Sequence, residues 1–368
     1  MLTFLHAADL HLDSPFQSLS PDQAAERRQE QRTLLARLAN TVRESKADLL
    51  FLAGDLFDGQ RARPETVQIL YHTLEELEAE IFLSPGNHDP WTPGSPYGRL
   101  TWPDHVHIFS TRSPERIVLP HLDAVVYGSA FTSLHRMDGP LEGFRASAED
   151  RKMSSFGCFH GDLSSPTSRY GPVTAEQIAA SGLDYLALGH SHTASGLQKA
   201  GKTWYAWPGC PEGRGFDETG DKGAYLGTLE DDGRLTLDFI PLAWRRYLVP
   251  ELDITGRDPD RALDDLMAQA HPQDILRIVL TGERDEDNEP DLTALTARAS
   301  GYFYSASVVD RTVLGRSLWA RMEEDTLTGL FLRNMRQRLD QAAPEDKEIL
   351  ERAIRFGLAA LEGREEPK

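Results

Sequence analysis

Three apolar runs near the start of the chain each stop abruptly in a polar cluster. Thr3 to Ala8 leads to Asp9-Leu10-His11-Leu12-Asp13, Leu49 to Ala53 to Gly54-Asp55-Leu56-Phe57-Asp58, and Ile81 to Ser84 to Pro85-Gly86-Asn87-His88-Asp89. Runs of this kind read as buried parallel strands. Between the first two, Leu34, Leu35, Leu38 and Val42 share one face of a helical pattern over 21–45. Between the second and third, Pro64 can open a helix over about 64–80. Strand, helix, strand, helix, strand predicts a layered α/β domain. In open α/β sheets ligands bind outside the carboxyl ends of the strands. At extended spacing Asp9 and His11 face the same side.

The pattern continues past a Pro-, Gly- and Trp-rich loop at 90–104, with apolar runs at 106–109, 115–119 and 123–128. After a polar, irregular stretch at 132–153, Ser155 to Phe159 leads to His160-Gly161-Asp162. A short helix around 174–181 follows, and Asp184 to Leu188 then leads to Gly189-His190-Ser191-His192. Closely spaced short strands to about residue 248 suggest the second sheet of a sandwich. Residues 249–310 form a βαβαβ unit: strand 246–254, helix 259–270, strand 275–281, helix 291–298 and strand 301–309. Residues 311–363 read as two helices broken at Ala343-Pro344, with Leu327, Phe331, Met335 and Leu339 along the first. Leu350, Ile354, Leu358 and Leu361 line the second. Two short amphipathic helices make a poor independent core, so they either pack back on the main body or dock on a helical partner. The expected organisation is domains at 1–248, 249–310 and 311–363, with a disordered tail at 364–368.

Composition narrows the class without naming a chemistry. A chain of 368 residues with 40% hydrophobic and 26% charged residues is ordinary for a soluble globular protein. No signal peptide or membrane-spanning run is visible, and Cys158 and Cys210 cannot build a disulfide framework. A cytoplasmic protein without membrane contact is expected. The net charge of −19 argues against gripping nucleic acid with the whole surface. Residues 251–310 carry 5 Lys and Arg against 14 Asp and Glu, whereas 311–368 carry 11 of each. A phosphate-bearing substrate must therefore be attracted locally, or through a partner.

The strand ends supply the chemistry. They hold Asp9 and His11, Asp55, Asn87 and His88, His160, and His190 with His192. Singly, each has an ordinary reading as a cap, a turn residue or a hydrogen-bonded core histidine. The chain has 12 histidines, and His6, His72, His105, His107, His121, His135 and His271 are taken as structural or surface residues. Together, two aspartates, an asparagine and four histidines suit two divalent cations with positions left open for substrate.

The series ADLHLD, AGDLFD, PGNHD, FHGDL and GHSH resembles the calcineurin-like metallophosphoesterases, and among them the SbcD/YhaO-type DNA repair exonucleases. Tyr205-Ala206-Trp207-Pro208-Gly209, Phe216-Asp217-Glu218 and Lys222-Gly223 extend the likeness to about residue 230. After Asp58 the chain reads Gly59-Gln60-Arg61, unlike the Ser/Thr phosphatases, and Asp89 stands where those have Glu; both favour the nuclease branch. The resemblance implies a four-layer αββα sandwich with a small βαβαβ capping domain and C-terminal helices. It implies one metal on Asp9, His11 and His192, another on Asn87, His160 and His190, and Asp55 bridging both. His88 would serve as general acid or transition-state stabiliser, with Asp58 orienting it or another histidine. Manganese is the family's preferred metal, with Fe2+, Mg2+ and Zn2+ as alternatives. The implied partners are DNA and an SMC-like coiled-coil ATPase (SbcC/YhaN-like) docked on the C-terminal helices, with a homodimer also admitted. The acidity of the capping unit shifts expected DNA contacts to Arg61, Arg63, Arg99 and Arg112. The implied activity is a Mn-dependent DNA exonuclease or endonuclease; hydrolysis of a nucleotide or other small phosphoester, and a non-catalytic scaffold, are the alternatives.

Overall fold

Alternation inside the apolar runs decides the layering. In β1 (Leu2–Ala7) and β2 (Leu49–Leu52), Phe4, Leu49 and Phe51 enter one buried cluster while Leu5, Leu50 and Leu52 enter another. The second cluster is completed by Leu34, Leu35 and Leu38 of α1 (Pro21–Ser45) and Leu70 and Leu74 of α2 (Pro64–Glu75). The helix α1 starts at a capping box, Ser20 with Gln23, and ends at left-handed Lys46. These elements, with β3 (Glu80–Leu83), the short α3 (Pro96–Arg99) and β4 (Val106–Ile108), build one half of a sandwich.

The other half comes from β5 (Glu115–Leu119), β6 (Ala124–Gly128), β7 (Ser154–His160), α4 (Ala175–Ser181), β8 (Tyr185–Gly189), β9 (Gln198–Ala200) and β10 (Thr203–Ala206). Two more strands follow, β11 (Gly223–Leu229) and β12 (Leu235–Pro241). The two six-stranded mixed sheets run β12-β11-β1-β2-β3-β4 and β5-β6-β7-β8-β10-β9. Phe4, Phe51, Phe82, Phe156 and Tyr185 fill the space between them, and Ile178 of α4 packs with Phe159 and Leu186 on the far face of the second sheet. The architecture is α/β in four layers, αββα.

The computed structural model describes all residues except 18, 60, 61, 151, 285–289 and 364–368. Arg61 and the expected tail at 364–368 therefore lie outside the described residues. Two compact units are resolved, Met1–Arg246 and Tyr247–Lys368.

Several sequence expectations need correction. The strands before residue 248 do not all join the second sheet. β11 pairs antiparallel with β1, Leu2 opposite Leu229, and closes the first. α2 stops at Glu75, because Glu80 is already in β3 opposite Leu49. In the second unit, β13 (Tyr247–Leu248) and β14 (Glu251–Asp253) lie along the same side of β15 (Ile275–Thr281) in one continuous register. Helix α5 (Pro259–Gln269) precedes β15; β16 (Glu283–Arg284) and α6 (Leu292–Tyr302) follow it. The run expected as strand 301–309 begins at β17 (Ser305–Asp310), since α6 continues through Gly301 and Tyr302. β18 (Val313–Leu314), α7 (Arg316–Ala320), α8 (Leu327–Gln341) and α9 (Pro344–Leu361) complete the unit. Along the helices Met335, Ile354 and Leu358 are buried as expected, but Leu327 is 73% exposed and Leu332, outside the expected stripe, is fully buried with them and Leu318.

Candidate metal centre

All the site residues expected from sequence lie in the first unit, at the carboxyl ends of β1, β2, β3, β7 and β8. The approach is not the simple extended alternation expected for Asp9 and His11. Both lie beyond the end of β1 with left-handed backbones, φ 53° and 44°. Asp55 (φ 50°) and His190 (φ 102°) do the same. Such conformations are uncommon for non-glycine residues and gather where a site is over-determined by its surroundings. Here the surroundings are backbone hydrogen bonds: Asp9 N–H donates to Gly54 O at 3.0 Å and His11 N–H to Asp55 O at 2.9 Å. The two chains thus stay side by side after their strands end. Glycine is required at two neighbours. A Cβ on Gly54 (φ +93°) would stand 2.0 Å from His160 Nδ1, and one on Gly86 would stand 2.1 Å from Asp55 Oδ1.

The side chains converge on Asp55. Its Oδ1 accepts the His88 N–H at 2.8 Å. Its Oδ2 lies 3.5 Å from His160 Nε2 and 3.9 Å from His11 Nε2, and so stands between the two expected ligand groups. His192 Nε2 lies 3.9 Å from Asp9 Oδ1, and Asp9 also accepts the His190 N–H. Asn87 Oδ1 is 3.0 Å from His160 Nε2 and 3.3 Å from His190 Nδ1. Asp9, His11 and His192 offer ligand atoms within 4.8 Å of one another, as do Asp9, Asp55 and His160.

The fit to metal rests on which nitrogens carry protons. His11 Nδ1 lies 3.2 Å from Asp58 Oδ1, His160 Nδ1 3.0 Å from Ala53 O, and His192 Nδ1 2.8 Å from Glu218 Oε1. Carboxylates and carbonyls only accept, so each Nδ1 donates and each Nε2 presents a lone pair. His11 Nε2 then faces His192 Nε2 at 3.1 Å, and His160 Nε2 faces Asn87 Oδ1 at 3.0 Å. Acceptor against acceptor at that distance is unfavourable without a positive charge between them. Burial lowers the pKa of His11 and His160 and brings His190 to about 4, so these three imidazoles are neutral near pH 7. Burial, and next the charge of Asp55, raise the pKa of Asp9. Burial would raise Asp55 too, but in acid the charge of protonated His160, His11 and His88 outweighs it and holds that carboxyl below its ordinary value. Neutral imidazoles, crowded carboxylates and facing lone pairs are the donor set a divalent cation satisfies.

His88 is placed differently. Its side chain is 44% exposed, its Nδ1 lies 3.4 Å from Asp58 Oδ1, and its ring stands perpendicular to His11 at 4.8 Å. The contact with Asp58 raises the pKa of His88. Burial would raise Asp58, but its hydrogen bonds with His11 and His88 hold it well below the carboxylate range. Asp58 thus faces both histidines at once. A cavity of about 420 Å³ opens beside His190, lined in part by Asp162, Ser191 and Trp207. His6 stays out of the site, its Nδ1 2.9 Å from the Tyr185 hydroxyl.

Of the arginines expected near the site, Arg112 is paired with Asp138, Arg63 Nε lies 4.0 Å from Asp13 Oδ1, and Arg99 is exposed. Sequence alone assigns no role to Arg214, which lies 3.4 Å from Asp58 Oδ1 and 2.5 Å from Glu218 Oε1. Its only signal is the polar loop Pro211-Glu212-Gly213-Arg214-Gly215, which has no periodicity to mark it.

The family model for calcineurin-like phosphoesterases matches residues 2–194. The chain is 35% identical over 241 residues to the uncharacterized metallophosphoesterase YhaO of Bacillus subtilis (strain 168), covering 61% of this chain and 57% of that one. It is 25% identical over 320 residues to the DNA double-strand break repair protein Mre11 of Methanopyrus kandleri, covering 80% and 68%. It is 27% identical over 225 residues to the SbcD component of the SbcCD nuclease of Rhodobacter capsulatus, covering 54% and 50%. The chain thus spans between half and about two thirds of these relatives. Among the described residues no helix is long and apolar enough to cross a membrane.

Proposed function

Because the chain belongs to the calcineurin-like phosphoesterase family, which uses a dinuclear metal site, we propose that it is a two-metal phosphodiesterase that cleaves DNA with Mn2+. The observation that carries this is the pair of acceptor–acceptor contacts, His11 with His192 and His160 with Asn87, on either side of Asp55. Asp9, His11 and His192 would hold one cation, Asn87, His160 and His190 the other, and Asp55 both. Two divalent cations would supply Lewis-acid polarisation of the phosphoryl group and a nucleophile available at neutral pH. Asp9 and Asp55 bring −2 against their +4, which leaves the centre locally positive and suited to a phosphodiester.

His88 donates a hydrogen bond or proton to the departing sugar oxygen. It is exposed, it is not in the ligand set, and Asp58 keeps it protonated to higher pH. The names of two relatives, a double-strand break repair protein and a component of a nuclease, support DNA over a small phosphoester. The first of these names also supports a role in DNA repair; the likeness of the sequence motifs to the SbcD/YhaO-type nucleases supports an SMC-like coiled-coil ATPase as partner and action in the cytoplasm. Residues 249–310 serve as a capping domain, and 311–363 as the ATPase docking element.

The test is Mn2+-dependent cleavage of a DNA duplex, compared with bis-p-nitrophenyl phosphate and a mononucleotide. His88→Ala should keep both metals by calorimetry and lose about 10²–10⁴-fold in rate. Faster turnover of the mononucleotide than of DNA would move the substrate to small phosphoesters.

A further inference from the structure

His192 Nδ1 has two neighbours of opposite kind. Glu218 Oε1 lies 2.8 Å away and can only accept; Arg214 Nη2 lies 3.1 Å away and can only donate. If Nδ1 donates to Glu218, Nε2 keeps the lone pair that a metal needs. If Arg214 donates to Nδ1, the ring proton moves to Nε2 and the nitrogen facing His11 can no longer bind a cation. The arginine is drawn away from this second choice by the same carboxylate, since its Nη2 donates to Glu218 Oε1 at 2.5 Å. Glu218 Oε2 in turn accepts the Arg214 N–H at 2.8 Å, so the carboxylate also caps the turn that carries its competitor.

We propose that Glu218 is a positioning residue that selects the metal-competent tautomer of His192, and that Arg214 couples this choice to His11 through Asp58. The coupling is visible in the contacts: Arg214 Nη1 lies 3.4 Å from Asp58 Oδ1, the atom that accepts from His11 Nδ1 at 3.2 Å. Two histidines of one ligand group therefore have their outer nitrogens held by two carboxylates, and one guanidinium lies between those carboxylates. Helix α1 anchors the assembly from below. Arg27, fully buried, donates to Glu212 at 2.7 Å and to Gly213 O at 3.0 Å, and Gln31 donates to His11 O at 3.0 Å. Glu218 and Arg214 meet the site at His192 Nδ1 and Asp58 Oδ1, and they act through those two residues.

The inference rests on the reading that these histidines hold metal, and its test separates the two. In metal-free protein labelled with 15N-histidine, long-range proton–nitrogen correlation should show His192 as the Nδ1–H form. In Glu218→Ala it should become the Nε2–H form, with Mn2+ affinity at one of the two sites falling about 10–100-fold. The double variant Arg214→Met/Glu218→Ala, which removes the competing donor as well, should bind Mn2+ more tightly than Glu218→Ala. A wild-type His192 in the Nε2–H form would overturn the inference, as would a double variant that binds no better than the single one. Wild-type protein that takes up no Mn2+ overturns the proposed function too. Normal wild-type uptake with unchanged affinity in Glu218→Ala overturns the inference alone.

Discussion

Gly86→Ala would test whether turnover depends on where Asp55 sits. The added methyl would stand 2.1 Å from Asp55 Oδ1 and 2.6 Å from Asp55 N, where ordinary contact begins at 3.4 Å. Either the carboxylate or the Pro85–Asn87 backbone must yield by more than about 1 Å, the scale of displacement that can cost about 100-fold in rate. The overpacking should cost only about 1–3 kcal/mol in stability, a drop in Tm of roughly 2–12 °C for a unit of this size. Gly143→Ala is the matched control. Gly143 has φ +68° and an added Cβ meets nothing within 4 Å, so it should lose about 1–2 kcal/mol through backbone strain alone and no activity. Thermal melts, Mn2+ calorimetry and hydrolysis of bis-p-nitrophenyl phosphate would be measured on both. Wild-type turnover in Gly86→Ala, or equal losses in the two variants, would refute the placement of Asp55 at the centre of the chemistry.

Two further predictions concern His88 and the C-terminal unit. The Asp58 contact raises the His88 pKa, so protonated His88 persists to higher pH than a free histidine; Asp58→Asn should move the alkaline limb of the pH–rate profile to lower pH, and a limb that stays put would detach Asp58 from His88. In the second unit, Leu332→Ala should destabilise by about 2–5 kcal/mol, as expected for a fully buried leucine. Leu327→Ala, at a 73% exposed position, should stay within about 0.5 kcal/mol; chemical denaturation followed by circular dichroism reads both.

The site was more legible in the sequence than its supports, for a physical reason. A ligand at a strand end follows an apolar run, and the abrupt change to polar residues marks it. Asp55, Asn87, His160 and His190 all carry that mark. Arg214 sits in a loop whose residues would look solvated in any protein, and Glu218 entered only as part of the likeness in Phe216-Asp217-Glu218, with no sign that it is buried against His192. The layered α/β class was also readable, since runs such as Leu49 to Leu52 must be covered on both faces; the count of four layers came from the family resemblance. Which sheet a later strand joins was not: β11 is apolar enough for either, and only its antiparallel pairing with β1 decides. Alternation misled at Asp9 and His11 because it assumes extended backbone, whereas both residues are left-handed. In α8 a step of four picked Leu327 but missed Leu332, because α9, α7 and the turn before α8 select a face that the stripe alone does not define.

The distribution of charge explains why such a centre would need help with a long substrate. The protein carries −19, but at physiological salt that field is screened beyond about 8 Å, so the last approach is governed by local groups. Around the centre the guanidiniums are largely committed. Arg112 is paired with Asp138, Arg214 with Glu218 and Asp58, and buried Arg136 donates to Ser129 and to the Arg112 carbonyl. Under the proposed reading, then, the cations would meet the scissile phosphate, and among the described arginines expected near the site Arg63 and exposed Arg99 remain for its neighbours. Duplex DNA presents one charge per about 1.7 Å, and its affinity scales with the number of phosphates neutralised. A mononucleotide would lose little by this arrangement. A DNA duplex would bind more tightly if a second protein supplied further phosphate contacts, and that is the physical argument for the proposed ATPase partner.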